Sequence, residues 1–190
     1  MQPWQRGEAP AVLVENSQAW GSEYAQRKSQ DPAFRFAWKG DSYPLIRNAL
    51  KALTDCHCSY CDGYPVDAHG KEEVDHFRPK GGAHPEFHPL AYEWTNLFYC
   101  CSGCNDKKKE RWSEQLLRPD AQNYTFLRYF EYETDSGELK PNPLATANDQ
   151  QKASESIRIF GLNRPGLCTL RRRHLQDADP DRPFRFLQAI

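Results

Sequence analysis

The chain has 190 residues, enough for one domain or for a small core with helical additions. Its 38% hydrophobic and 13% aromatic content excludes a disordered composition, and no apolar run approaches a membrane span. A formal net charge of -1 excludes a globally positive field, so any nucleic-acid contact has to come from local basic patches.

In chain order, residues 1–53 read as an N-terminal helical segment. A short helix is expected over residues 19–29. A second is expected over 43–54, with Asp41 and Ser42 as cap candidates and Pro44 in its first turn. Leu45, Ile46, Ala49, Leu50 and Leu53 recur at helical spacing and form a face that has to pack on something. Residues 54–113 are the dense centre. Asp62-Gly63-Tyr64-Pro65 and Lys80-Gly81-Gly82 mark turns, residues 73–77 alternate like a short strand, and a helix with a basic exposed face is expected over 105–114. Residues 114–190 read as an α+β extension packed on the core or on a partner. It comprises a strand over 125–133, a turn at Asp135-Ser136-Gly137 into another short strand, and a helix over 149–160 stopped by Gly161. A last helix, capped by Asn163, runs to about His174. Two basic patches stand out, KKKER at 107–111 and RRRH at 171–174; the second reads as a solvated helix face.

Seven cysteines, grouped as CHCSYC and CCSGC, fit metal knuckles better than a secreted disulfide framework. With a start, MQPWQRGEAPAVLVEN, that lacks a signal-peptide pattern, they suggest a reducing, cytoplasmic setting. Cys58-x-x-Cys61 and Cys101-x-x-Cys104 stand about forty residues apart, as two thiolate pairs would around one tetrahedral Zn2+. A redox role for either CxxC is disfavoured, because two pairs compete and no thioredoxin-like βαβ frame surrounds them. Cys56, His57 and Cys100 are spare donors that complicate the ligand choice, Cys100 being expected to point elsewhere; Cys168 reads as a core thiol.

Between and beside the knuckles stand Asp75, His76, Asn96 and Asn105. Phosphodiester hydrolysis needs an activated water and a cation that stabilises charge on the phosphate and the leaving oxygen. An imidazole is the natural base near neutrality, and carboxylate and amide oxygens are hard donors suited to Mg2+. Asp75 on a strand and Asn105 near a helix start can converge on one ion. The single-residue offset turns His76 to the opposite side of the strand. The bland reading of a lone Asp-His pair is a surface turn or a satisfied hydrogen bond; the double knuckle around this pair weighs against it. His84 and His88 read as loop hydrogen-bonding groups, and Trp94, Phe98 and Tyr99 as packing around the knuckles rather than base-stacking platforms.

The runs CHCSYC, EVDHFRPK and EWTNLFYCCSGCNDKKK resemble the HNH endonuclease motif, over residues 56 to about 112. The resemblance implies a zinc-stapled ββα-metal core with N-terminal helices and a mixed C-terminal extension, an α+β fold. It implies Asp75 as metal ligand and His76 as general base, with Asn96 fixing the loop between the strands. Asn105 stands where many members carry His and others an Asn ligand, which favours Mg2+ or Mn2+ over zinc at the catalytic position. Lys80, Lys107 and Lys108 are the candidate phosphate contacts. A finer resemblance, carried by DHFRPK, YEWTNLFYCCSGCNDKK and the I-x-x-F-G-L-N-R run at 157–164, is to the HNH subunit of Septu-type and retron-associated antiphage systems. It implies a defence effector cutting DNA, or RNA, alongside an ABC-like ATPase and in some systems a reverse transcriptase with its RNA and DNA. The terminal segments are the expected partner surfaces. The alternative from another class is a non-catalytic zinc module that binds nucleic acid or a partner protein.

Overall fold

The computed structural model describes residues 1–177 together with Phe184 and Arg185. The fold is mixed α+β with two small antiparallel sheets. Helix α1 covers Ala11–Gln30 and α2 covers Ser42–Leu53, followed by the single turn α3, Val66–His69. Strand β1, Glu72–His76, pairs with β2, Leu97–Cys101, so that Asp75 faces Phe98 and His76 faces Leu97. Helix α4, Ser102–Lys108, leaves β2 without a loop. The second half holds α5, Phe126–Tyr129, then β3, Phe130–Glu133, paired with β4, Glu138–Pro141. It ends in α6, Ala147–Phe160, and α7, Pro165–Asp177.

Several sequence expectations are corrected. Helix α1 starts at Ala11 and not at the expected 19, because Pro10 sets its first turn and Leu13, like Tyr24, is buried against the core. Leu45 drops out of the α2 face at 54% exposure, while Ile46 and Leu50 are fully buried. The expected strand over 125–133 opens as the helical turn α5 and becomes extended only at Phe130. Asn163 does not cap α7: its side chain accepts from the Leu139 N–H at 2.8 Å and donates to the Leu139 carbonyl at 2.8 Å, fastening the α6–α7 turn to β4. In the RRRH patch, Arg171 is completely buried and donates to the Gly137 carbonyl, and His174 is buried as well, so the patch is no continuous solvated face. The turn residue Gly161 adopts φ 61° and ends α6 as expected, and Lys107 lies where a Cβ would stand.

One core cluster draws residues from every part of the chain. Met1, Trp4 and Leu13 come from the start, Tyr60, Phe98 and Tyr99 from the centre, and Phe130, Phe160 and Phe184 from the second half. Tyr60 stacks on Phe160 at 4.0 Å, linking the cysteine knuckle to α6. At the other side of the centre, α1 lies on the 3-10 segment Pro85–Tyr92. Only glycine fits at position 21, since a Cβ there would stand 2.1 Å from the Pro89 carbonyl oxygen. Among the described residues no helix is long and apolar enough to cross a membrane.

Candidate metal centre and adjoining cleft

The first knuckle follows α2 directly. Asp55, Cys56 and Asp62 take positive φ, which folds the chain back so that Cys58 and Cys61 turn inward. The Ser59 N–H donates to the Tyr99 carbonyl at 2.9 Å and pins this knuckle to β2. Cys101 ends β2 and Cys104 lies in the first turns of α4. The four buried sulfurs lie within 4.8 Å of one another. Tetrahedral zinc with bonds of about 2.3 Å needs sulfurs roughly 3.8 Å apart, and Cys61 Sγ lies 3.8 Å from Cys101 Sγ. The cluster is therefore one that can hold a metal ion such as zinc. Cys100 is buried outside it, as expected, and Cys56 also lies outside it.

Excess negative charge on four thiolates calls for donors around them. The Cys101 N–H donates to Cys58 Sγ at 3.4 Å, and the guanidinium of Arg164 serves the other three sulfurs. From the turn before α7 its Nη1 lies 3.4 Å from Cys104 Sγ, and its Nη2 lies 3.5 Å from Cys101 Sγ and 3.9 Å from Cys61 Sγ. The thiols in turn raise the Arg164 pKa further despite its burial.

Asp75, His76, Lys80 and Asn105 line one cleft of about 380 Å3 on the other flank of α4, together with Asp106, Lys109 and Glu110. As the period-2 argument requires, Asp75 and His76 face different neighbours. Asp75 is buried toward α4: its Oδ2 accepts from the Tyr60 hydroxyl at 2.6 Å and its Oδ1 from Lys108 Nζ at 3.1 Å. His76 packs toward the α1–α2 connection, stacked on Trp38 at 5.6 Å and edge-on to Phe36 at 5.0 Å.

The His76 ring has a defined proton arrangement. Its Nε2 lies 2.8 Å from the Ala91 carbonyl oxygen, which can only accept, so Nε2 carries the proton. Burial, with the positive charge of Lys80 and more weakly Lys108, holds its pKa well below the usual imidazole range against the opposing Ala91 bond. The ring is therefore neutral and Nδ1 is a bare lone pair. That atom is buried and has no hydrogen-bond partner among the described residues, an uncommon and costly condition for an acceptor.

Asn105 sits in α4 and donates from Nδ2 to Glu73 Oε2 at 2.5 Å. Glu73 shares a strand face with Asp75, two residues along β1. With Nδ2 engaged, the Asn105 amide oxygen is left as the free donor atom. Asn96 does not line the cleft. Its Oδ1 accepts from the Arg78 N–H at 2.8 Å, and its Nδ2 donates to the carbonyls of Arg78 at 3.0 Å and Leu90 at 3.1 Å. It closes the long loop between β1 and β2 at its base, next to the Ala91 carbonyl that orients His76.

The lysines separate. Lys80 lines the cleft, and its burial lowers its pKa. Lys107 does not line it; its stem lies against Gly161. Lys108 is completely buried, with Nζ also donating to the His76 carbonyl at 2.6 Å, so it offers no surface to a substrate. Helix α4 is shorter than expected and breaks at Lys109 with φ 48°, which brings Lys109 and Glu110 to the cleft instead. Glu110 accepts from the Gly81 N–H at 3.1 Å and ties the Lys80 turn across the opening. His84 is half-exposed beside Glu86, and His88 is buried under Tyr24. The side chain of His69 lies outside the described residues. Trp94, Phe98 and Tyr99 are buried as packing residues.

No protein-family model matches the chain, and no curated protein is significantly similar to it.

Proposed function

We propose that the chain is a metal-dependent endonuclease of the HNH type that hydrolyses phosphodiester bonds, with DNA favoured over RNA. The observation that carries this reading is the His76 ring: neutral, held by a fixed Nε2 proton, and with an unpartnered Nδ1, beside a cleft that it shares with Asp75 and Asn105. A histidine kept for packing would have its second nitrogen satisfied or solvated; Nδ1 is neither, and a general base holds such a lone pair for a water that arrives with the substrate.

Asp75 and Asn105 would hold the catalytic ion, Mg2+ or Mn2+. Their donor set fits one: a carboxylate and an amide oxygen are hard ligands, and Mg2+ takes one or two protein ligands while keeping several waters. Such an ion, when bound, stabilises charge on the phosphate and on the leaving oxygen. His76 Nδ1 takes the proton of the attacking water, and the Ala91 carbonyl stabilises the Nε2–H of the imidazolium that results. Lys80 and Lys109, on the cleft wall, hold the phosphate. Tyr60 and Lys108 fix the Asp75 carboxylate and keep its charge tolerable in a buried setting. The four-cysteine cluster, as a structural zinc site, sets α4 against the β1–β2 pair and so sets Asn105 against Asp75.

Replacing His76 with Ala should abolish Mg2+-dependent cleavage of DNA or RNA while folding and zinc content stay unchanged; undiminished cleavage would refute the assignment. The partner reading rests on the resemblance to the Septu-type and retron-associated subunits: an antiphage effector bound to an ABC-like ATPase. Co-purification of the chain with the product of a neighbouring ATPase gene, where there is one, tests it.

A further inference from the structure

A second cavity lies one aromatic ring away from His76. It is formed by α1 and the α1–α2 connection, has a volume of about 300 Å3, and includes Phe34, Trp38 and Tyr92 among its walls. Trp38 stands between the two sites: the ring that lines this cavity is the one stacked at 5.6 Å on the His76 imidazole. Tyr92 is held in place by its hydroxyl, which donates to the Ala37 carbonyl at 2.5 Å.

The rim is cationic. Arg27 and Lys39 both pair with Glu23, at 2.9 and 2.8 Å, so their charges are partly spent. Arg35 also lines the cavity and is exposed, and makes no hydrogen bond or ion pair among the described residues. Three cations against one carboxylate leave a net positive rim around an aromatic interior.

We infer that this cavity receives one unpaired base of the nucleic-acid strand whose backbone crosses the cleft beside His76, with Arg35 on the neighbouring phosphate. The combination of π-faces for a base and a cation for its phosphate is what single-strand sites use. A volume of about 300 Å3 is at the small end of ligand sites and suits one nucleotide, not a paired one. With Trp38 stacked on His76 the cavity adjoins the cleft, so a nucleotide seated there would lie next to the phosphate that faces His76. The substrate class is therefore single-stranded or locally unpaired nucleic acid. This inference rests on the nuclease reading for its placement of the strand, but binding can be measured without cleavage.

The test is fluorescence anisotropy of a short labelled oligothymidylate and of its duplex, with zinc-loaded protein and no Mg2+. Single strand should bind more tightly than duplex. Phe34→Ala and Arg35→Glu should each weaken the single strand roughly tenfold, while thermal melting shows both variants folded. Equal binding of the two nucleic acids, or variants that bind the single strand as well as the parent chain does, overturns the inference. So does thymidine monophosphate competing as well, base for base, as the oligonucleotide, because the cavity would then serve a free nucleotide. The two readings fail separately. A chain that cuts nothing with Mg2+ but binds single strands through Phe34 and Arg35 loses the nuclease assignment and keeps the cavity. A chain that cuts, with both variants binding normally, does the reverse.

Discussion

Lys108 Nζ lies 3.1 Å from Asp75 Oδ1, and neither side chain is more than 5% exposed. The cation thus occupies one lone-pair direction of the carboxylate proposed to hold the catalytic ion. Breaking such a buried pair leaves an uncompensated charge, at about 3–5 kcal/mol. Lys108→Met should therefore lower the melting temperature strongly. Because the uncompensated charge is then on Asp75, millimolar Mg2+ should restore more stability to the variant than it adds to the parent chain. Calorimetric melting with and without Mg2+ reads this directly; equal Mg2+ shifts would separate Asp75 from metal binding.

Arg164 reaches three of the four cysteine sulfurs from outside the segment that supplies them. Outer donors of this kind commonly contribute about 10–100-fold to metal affinity. Arg164→Ala should release zinc correspondingly faster to a chromogenic chelator, and Arg164→Lys should fall between, since a single ammonium cannot span two sulfurs as the planar fork does. Zinc release unchanged in Arg164→Ala would reduce this contact to packing.

The two knuckles were readable in the sequence because their chemistry is local: two residues between cysteines set the turn, whatever surrounds it. The division of Asp75 from His76 was readable for the same reason, through the period of a strand. What the sequence hid was contributed across distance. Tyr60 and Glu73 matter through the side chains they hold, and Arg164 through sulfurs 60 and more residues away. Nothing in their local patterns marks this. The lysine run misled because its helix breaks after Lys108: one residue decides which ammonium is entombed and which meets solvent. The strand expected at 125–133 held only over its second half, because alternating aromatics fit a single helical turn followed by a strand equally well. Trp38, which stacks on His76, lies on an irregular connection, where periodicity is silent.

The Glu73 carboxylate decides which atom of the Asn105 amide is left free. Glu73→Leu removes that acceptor, so the amide can turn its NH2 group toward Asp75. The proposed ion should then bind about 10-fold more weakly. Titration calorimetry with Mn2+ on zinc-loaded protein would read this shift, with no change in zinc content. An unchanged Mn2+ affinity would exclude Asn105 as a ligand oriented through Glu73.

Asn96 makes three hydrogen bonds that close the loop between β1 and β2, and one of its acceptors, Leu90, precedes the residue that fixes the His76 tautomer. At roughly 1 kcal/mol net for each bond, Asn96→Ala should lose about 3 kcal/mol in a urea titration. The functional consequence is separable from that loss. As Ala91 drifts from His76, the imidazole loses the carbonyl that fixes its proton on Nε2, and the two tautomers become comparable. Nitrogen NMR of the imidazole should show one protonated Nε2 in the parent chain and averaged nitrogens in the variant. Asn96→Asp keeps the acceptor toward the Arg78 N–H but sets a buried carboxylate oxygen against the Arg78 and Leu90 carbonyls, so it should destabilise the loop at least as much as Ala. A single sharp Nε2–H signal in Asn96→Ala would show that the ring is held by its aromatic neighbours Phe36 and Trp38 and not by the loop.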